Sequence, residues 1–257
     1  MTSQLQVLIP MAGAGSRFTA EGFTLPKPLI EVSGKPMIVQ AVSALPAGKQ
    51  HTFILRKEHL EHYNIEEILQ SYYPGCNTLV LDYLTEGQAS TCLLAKHLLD
   101  PEAPLLIGAC DNGMTYDAKQ WDALMNDTTV DASIFTFRNN PTVERNPAAY
   151  GWVITDANNT AKEVKCKQPI SSNPIHDHAV VGTFYFRKAR YFIEAAEQMI
   201  RKNIRINNEF YVDVAMNEMI QDGQTVKVME AGTYICWGTP NDLRTYEYWE
   251  RFFTSAR

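Results

Sequence analysis

The chain has 257 residues, of which 45% are hydrophobic and 20% charged, and it carries a net charge of −6. That length buries a real core as one α/β domain or two small ones, and the acidic balance argues against a protein that coats nucleic acid, while a small anion needs only local positive charge. No apolar run approaches the about 20 residues of a bilayer span, the opening MTSQLQVLIPMAG lacks a basic leader, and five scattered cysteines without a C-x-x-C suit reduced thiols in a cytoplasmic protein.

In chain order, QVLIPM (6–11) reads as a buried strand, followed by a loop and a helical pattern from about Pro36 to Leu45. HTFILR (51–56) is a second strand, with a helix near Glu58–Ser71, and NTLVLDYL (77–84) a third, with a helix over Gln88–Leu98. APLLIGAC (103–110) and DASIFTFR (131–138) continue the series. Near-continuous apolar strands alternating with helices imply a mostly parallel sheet covered on both faces. The second half changes character: YGWVITD (150–156), KEVKCK (162–167) and AVVGTFYF (179–186) are strands with few helices between them. Helices return near Ala189–Arg201 and Glu209–Asp222, then a strand TVKVME (225–230) and a closing helix over Asn241–Phe252. No repeat or low-complexity linker separates the halves. The expectation is a single domain over 1–257, with a nucleotide-binding half to about residue 138 and a substrate-facing half from about 139.

The loop after the first strand carries the chemistry. Ala12, Gly13, Ala14 and Gly15 leave backbone N–H groups uncovered, so the loop can wrap an anion at the carboxyl end of a parallel strand. A bare glycine turn is the plain alternative. A dinucleotide fingerprint starting at Gly13 needs a glycine or alanine where Phe18 stands, and a Walker loop needs G-K-[ST] where Ser16-Arg17 stands. Both fail. What remains is G-x-G-S-R followed by P-K-P-L at Pro26–Leu29. Arg17 can fork onto phosphate oxygens, Lys27 offers a compact charge, and Pro26 and Pro28 stiffen the backbone around it. Two cations facing a cradle of amides suit a triphosphate.

LIPMAGAGSRF…LPKPLIEVSGKPMI closely resembles the opening of the sugar-phosphate nucleotidyltransferase (nucleoside-diphosphate-sugar pyrophosphorylase) family, whose signature is G-G-x-G-[ST]-R with P-K-P; Ala12 replaces the first glycine. The resemblance continues to about residue 247. It implies an α/β fold with a Rossmann-like, mostly parallel sheet flanked by helices, nucleotidyltransferase type, and a substrate-facing C-terminal half. It also implies that Ala12, Gly13, Ala14, Gly15 and Ser16 bind the nucleotide's phosphates and that Arg17 and Lys27 are catalytic. EGQASTCLLA (86–95) matches the loop and helix that receive the base, putting Gly87 and Gln88 against it, although the spacing alone equally describes a helix N-terminus. IGACDNGM matches the strand that ends at the catalytic centre, with Asp111 holding Mg²⁺; read alone, Asp111 could be a turn cap.

In the second half the resemblance assigns Tyr150, Gly151, Lys167 and Gly182 to the acceptor, with Lys167 on its phosphate. Two departures stand out. Cys166 occupies a position where glutamate is common, which opens the question of the acceptor. In YICWGTPNDL, Cys236 occupies the position of the second metal-binding aspartate and Tyr234 that of a tryptophan. A neutral thiol is a poor Mg²⁺ ligand, so either Asp111 holds the ion with triphosphate oxygens and water or another carboxylate substitutes. Asp213 is one candidate, although a helix aspartate usually faces solvent.

The G-F-x-L-P-K-P opening and W-G-T-P-x-D-L ending resemble a branch associated with capsule and surface-glycan assembly, some of whose relatives transfer CMP to non-sugar phosphates. The expected activity is transfer of a nucleoside monophosphate from a nucleoside triphosphate to a small phosphorylated acceptor, a sugar 1-phosphate first, with release of pyrophosphate. The alternatives are a cytidylyltransferase acting on a non-sugar phosphorylated metabolite, and a non-catalytic nucleotide or sugar-phosphate sensor. No nucleic-acid or membrane partner is expected. The aromatic run YEYWERFF (246–253) reads as core or as a subunit contact, which leaves a homo-oligomer open, and the pair His176 and His178 reads as solvated rather than metal-binding.

Overall fold

The structure is a computed structural model that describes residues 4–255. The first half gives β1 (Gln6–Pro10), the short helix α1 (Ser16–Ala20), a hairpin of β2 (Glu31–Val32) and β3 (Lys35–Pro36), and α2 (Met37–Ser43). Next come β4 (Gln50–Arg56), α3 (Lys57–Tyr63), α4 (Ile65–Tyr72), β5 (Asn77–Leu81) and α5 (Gln88–Leu94). β6 (Leu105–Ile107), β7 (Asn112–Thr115), α6 (Ala118–Asn126), β8 (Ala132–Phe137) and α7 (Thr142–Arg145) complete it. The second half contributes the antiparallel hairpin β9 (Gly151–Thr155) and β10 (Ala161–Cys166), the long β11 (His178–Phe186), α8 (Ala189–Arg201) and α9 (Val212–Gln221). It closes with β12 (Val226–Glu230), β13 (Thr233–Cys236) and α10 (Pro240–Ser255).

One nine-stranded sheet runs through both halves in the order β10-β9-β11-β6-β1-β4-β5, with β8 joined to β11 and β12 to β8. The β6-β1-β4-β5 portion is parallel, as its continuous apolar strands require. β11 turns the sheet antiparallel, pairing with β6, β8 and β9, while β12 runs parallel to β8. The sheet is therefore mixed, with its parallel part at the glycine loop. β7 and β13 form a separate two-stranded ribbon.

Local sequence explains the ends of several elements. Asp117 caps α6, its Oδ1 accepting from the amides of Lys119 at 2.8 Å and Gln120 at 3.2 Å. The single helix expected near Glu58–Ser71 is two helices, because Asn64 takes the left-handed conformation at φ 47°, which asparagine tolerates better than most residues. The helix expected over Gln88–Leu98 ends at Leu94 and continues as a 3-10 turn over Lys96–Leu98.

Two large apolar clusters cover the two faces of the sheet. A third, small cluster joins Phe18 of α1, Ile30, Val32, Met37 and Ala41 to Trp237 and Leu243 near the C-terminus. Phe18 and Trp237 are both buried there, and burying such side chains is worth about 1.5–3 kcal/mol for one the size of phenylalanine. This cluster sets the glycine loop and the Pro-Lys-Pro segment against the chain that follows β13. Elsewhere on α10 the aromatic run is not core: Tyr248, Trp249, Phe252 and Phe253 are exposed, and only Tyr246 turns inward, edge-on to Trp237. His178 is buried with its Nδ1 2.9 Å from Thr136 Oγ1, so the expected solvated pair reduces to His176, beside Asn139 at the surface. No helix among the described residues is long and apolar enough to cross a membrane.

Candidate active site

Two cavities open side by side at the carboxyl ends of β1 and β6. The first, about 440 Å³, is lined by Ala12, Gly13, Ala14, Gly15, Ser16 and Arg17 on one wall and by Leu84, Thr85, Gly87, Gln88 and Thr91 on the other. The second, about 490 Å³, is lined by Asp111, Asn112, Tyr150, Gly151, Lys167 and Gly182, together with Tyr211, Asp213, Tyr234, Cys236 and Asp242. Arg17, Lys27, Gln88, Glu209 and Gly238 line both. Every residue that the sequence assigned to the site therefore lines one of two adjoining cavities.

The glycines in the first cavity have different work. A β-carbon on Gly13 would meet nothing within 4 Å, so its backbone lies open to the cavity. Gly15 takes a left-handed conformation at φ 62°, and a β-carbon there would pack at 3.4 Å on Lys27 Cβ. Gly87, at φ 119°, lies against the backbone of Phe210: a β-carbon would come within 2.6 Å of both its N and its O. Phe210 N donates to Glu86 O at 2.7 Å, and Ala89 N donates to Phe210 O at 2.9 Å. Gly87 is thus fixed by packing, and its carbonyl receives the hydroxyls of Ser90 and Thr91 at 2.9 Å. Gln88 is left facing both cavities.

At the junction, Lys27 Nζ donates to Asp111 Oδ2 in a close ion pair whose side chains are 17% and 27% exposed. Lys27 opens a 3-10 turn after Pro26, with Pro28 and Leu29 buried behind it, so the stem of the lysine is held by its neighbours. Burial works against the ammonium's charge, but the carboxylate of Asp111 outweighs it and holds Lys27 above its ordinary pKa. In the same way burial would raise Asp111, but Lys27, by charge and hydrogen bond, and then Arg17 hold it below its ordinary value.

The β7–β13 ribbon brings the two ends of the site together. Cys236 pairs across from Asn112, the Trp237 amide donates to Asp111 O at 2.9 Å, and a β-carbon on Gly238 would stand 3.1 Å from Asp111 Oδ2. Burial, then the charges of Asp111 and Asp242, push the Cys236 thiol up to about 12, so it is protonated at neutral pH. Its sulfur accepts from the Gly238 amide at 3.3 Å and lies 3.6 Å from Asp242 Oδ2. Asp242 itself is tied to the start of α10, its Oδ2 accepting from Thr239 Oγ1 at 2.6 Å. Among the described residues no three His, Cys, Asp or Glu side chains are grouped to hold a metal ion. The Asp111 carboxylate beside the glycine-lined cavity fits Mg²⁺ that arrives with substrate phosphates, since that ion commonly keeps its waters and takes one or two carboxylates with such phosphates; it does not fit a cage built from protein alone.

In the second cavity, β11 bulges between Val180 and Phe184, where Gly182 sits at φ 93°. The bulge frees the Val181 carbonyl, which accepts from Asn112 Nδ2 at 2.9 Å. Lys167 stands just past β10 in the left-handed region at φ 59°, its amide donating to Tyr150 O at 3.0 Å. Its ammonium donates to Ala149 O and lies 5.6 Å from the centre of the Tyr211 ring. Burial lifts the Tyr150 phenol to about 12. Gly151 is fixed by Asp213: a β-carbon would overlap the Oδ2 of that carboxylate. Asp213 is 7% exposed, so the expectation that it faces solvent is overturned. The sequence reading gave no role to Asn112, Glu209, Tyr211 or Asp242. Asn112, beside Asp111 in the D-N pair, and Glu209 with Tyr211, in NNEFYVD ahead of a helix, carry polar groups that could have drawn attention.

Residues 6–250 match the model of the nucleotidyl transferase family. No curated protein matches the chain. Among solved structures, a nucleoside-diphosphate-sugar pyrophosphorylase from Vibrio cholerae RC9 is similar with a TM-score of 0.75 and 20% identity, over 93% of this chain and 98% of that one. An inositol-1-phosphate CTP transferase from T. maritima is similar with a TM-score of 0.73 and 13% identity, over 96% of this chain and 95% of that one. These two likenesses establish a shared mixed α/β fold.

Proposed function

The chain belongs to the nucleotidyl transferase family, and from that premise we propose that it transfers the nucleoside monophosphate of a triphosphate to a small phosphorylated acceptor, a sugar 1-phosphate first among them, with release of pyrophosphate. The observation that carries the proposal is the shared wall: Arg17 and Lys27 line both cavities, so a phosphate held between them is reachable from either side. The triphosphate occupies the cavity of the glycine loop, with Gly87 and Gln88 toward the base. The acceptor occupies the cavity of Tyr150, Gly151, Lys167 and Gly182.

The chemistry follows from charge and alignment. An oxygen of the acceptor phosphate attacks the α-phosphorus, the bond to the bridging oxygen breaks, and pyrophosphate leaves with the electron pair. The attacking oxygen is already ionised, so little general-base work is required, and positioning with electrostatic stabilisation supplies the rate. Arg17 forks onto the departing β- and γ-phosphates, Lys27 turns from Asp111 toward the α-phosphate, and Lys167 orients the incoming phosphate. Mg²⁺ would be held by Asp111 and triphosphate oxygens, and when bound it supplies charge neutralisation at those phosphates.

We further propose, from the sequence resemblance, that the chain works as a single domain in the cytoplasm on precursors of a surface polysaccharide or related glycan. The test is pyrophosphate release from CTP, UTP and dTTP with a panel of phosphorylated acceptors and Mg²⁺. Release with at least one pair is the expected result. Tight triphosphate binding with no release across the panel would support a sensor instead.

A further inference from the structure

α10 turns two different sides to its surroundings. The inner side is anchored: Leu243 is buried with Phe18 and Trp237, Tyr246 Oη lies 2.6 Å from Ser33 Oγ, Ser33 also donates to Glu250, and Arg244 pairs with Glu21. The outer side carries Tyr248, Trp249, Phe252 and Phe253, which are 61%, 51%, 52% and 63% exposed. This spacing sets all four on one face of the helix. They pack on one another, with ring centres 5.4 Å apart for Tyr248 and Trp249, 5.9 Å for Trp249 and Phe252 and 5.3 Å for Phe252 and Phe253. At about 200 Å² for a whole aromatic side chain, those fractions leave about 450 Å² of contiguous apolar surface in water. A patch of that size on a monomer commonly has a function. None of the four lines either cavity of the candidate active site.

We propose that this face is the contact between two copies of the chain, whose α10 helices pack antiparallel about a twofold axis between Glu250 and Arg251. The assignment does not depend on the transfer reading. Area favours a second copy: two such patches bury about 900 Å² of aromatic surface, more than half of the about 1,600 Å² of a standard interface. The hollow that Arg251, Thr254 and Ser255 line beside Tyr248 and Phe252 can receive a side chain of the opposing helix. Because the inner side of α10 is anchored, the patch is ordered before the copies meet, which lowers the cost of association. Symmetry favours the antiparallel arrangement. The segment YWERFF places its aromatics evenly about its midpoint, so reversal sets Tyr248 opposite Phe253 and Trp249 opposite Phe252, and each ring meets another. Charge agrees with it. Glu247 and Arg251 lie one turn apart, and Arg251 Nε donates to the Glu247 carbonyl at 3.2 Å with no ion pair between the two side chains. An antiparallel copy brings the Arg251 of each chain within reach of the other's Glu247. A chain of net charge −6 is, by contrast, repelled by an anionic lipid surface.

Sedimentation equilibrium on the full chain between about 1 and 100 μM is the test, with the melting temperature followed over the same range. A dimer is expected, with a Tm that rises with concentration. Trp249→Ala and Phe253→Ala, at exposed positions and with folding checked by circular dichroism, are each expected to raise the dissociation constant by about 30-fold or more, as loss of a central aromatic does. Glu247→Arg and Arg251→Glu each weaken the dimer by about 2- to 30-fold, and the double variant restores it. A monomer throughout the range overturns the proposal. So does a dimer indifferent to Trp249 and Phe253, or one that the double charge exchange leaves as weak as the single variants do. Flotation with vesicles of neutral phosphatidylcholine, repeated with Trp249→Ala, tests another occupant: flotation of a monomer that depends on Trp249 assigns the face to a lipid surface instead.

Discussion

Replacing Lys27 with methionine keeps most of the stem and removes the charge, and the structure separates two consequences. The first is stability. Removing one partner of a fully buried ion pair costs about 3–5 kcal/mol, while an exposed pair contributes about 0–1 kcal/mol. With side chains 17% and 27% exposed, solvent screens the orphaned Asp111 in part, and we expect a loss of about 1–3 kcal/mol, read as a fall in Tm of roughly 2–12 °C for a domain of this size. The second is rate: on the proposed role of Lys27 at the α-phosphate, losing that preorganised charge costs about 10²–10³.

The sign of the pH dependence is fixed by the two shifts. Asp111 is held below its ordinary 3.8, so its contribution is present above that pH and is lost as pH falls through the folded value. Lys27 is held above its ordinary 10.5, so its contribution is present below that pH and is lost as pH rises through the folded value. The Tm difference between the two proteins is therefore flat across neutral pH and shrinks in strong acid. Thermal melts and pyrophosphate release under saturating substrates are the assays, with Lys27→Met/Asp111→Asn as the control. The double variant leaves no orphaned charge and recovers most of the stability without recovering the rate. Turnover of Lys27→Met within about threefold of the unaltered chain, or a double variant as unstable as the sum of the single ones, refutes the reasoning.

Lys167→Ala is expected to raise the acceptor's KM by about 10- to 100-fold, as loss of a charged hydrogen bond does, while the triphosphate's KM stays put; equal weakening of both, in separate titrations, places the lysine elsewhere. Gly13→Ala should fold normally, since nothing lies within 4 Å of the new methyl, yet weaken the triphosphate. Gly87→Ala, strained at φ 119° and in collision with the Phe210 backbone, should lower Tm sharply, and equal melting temperatures for the two variants would contradict this division. Asp213 carries a pKa above its ordinary 3.8, so its stabilising contribution is present below that pH and fades as pH rises through the folded value. Asp213→Asn should accordingly be at least as stable as the unaltered chain at pH 7, with the advantage shrinking toward pH 4, and a lower Tm at pH 7 would count against burial as the dominant influence on this carboxyl.

The parts of the fold that were legible are those where burial is continuous. QVLIPM, HTFILR and AVVGTFYF are strands because both faces of the sheet are covered, and a run of apolar residues records that directly. The β7–β13 ribbon left no such mark. NGMT and TYIC are short and mixed, and their pairing joins residues more than a hundred positions apart, which no local period encodes. Yet that ribbon sets Cys236 opposite Asn112 and Gly238 against Asp111. Asp213 was illegible for a related reason. Helical spacing suggests a solvated side chain, and only the absent side chain of Gly151, on another element, makes room for a buried one. The exposed aromatics of α10 show the converse, since helical spacing describes an apolar face without saying what covers it.

The glycine loop was legible as a motif, but the motif does not say which residue does which work. Gly13 faces the cavity and Gly15 lets Lys27 pack close, while on the opposite wall Gly87 admits the Phe210 backbone. The same distinction applies to the charges. Burial alone would pull Lys27 toward neutrality, and the carboxylate of Asp111 reverses that. In the ligand-free protein Asp111 therefore pairs with a partly buried ammonium and favours its charged form at the junction of the two cavities. On the proposed reading, a triphosphate that takes Lys27 as its partner frees the Asp111 carboxylate, which would then be available to hold Mg²⁺. The protonated thiol of Cys236 does not compete for Lys27 as a second carboxylate would, so the ligand-free ion pair is one-to-one.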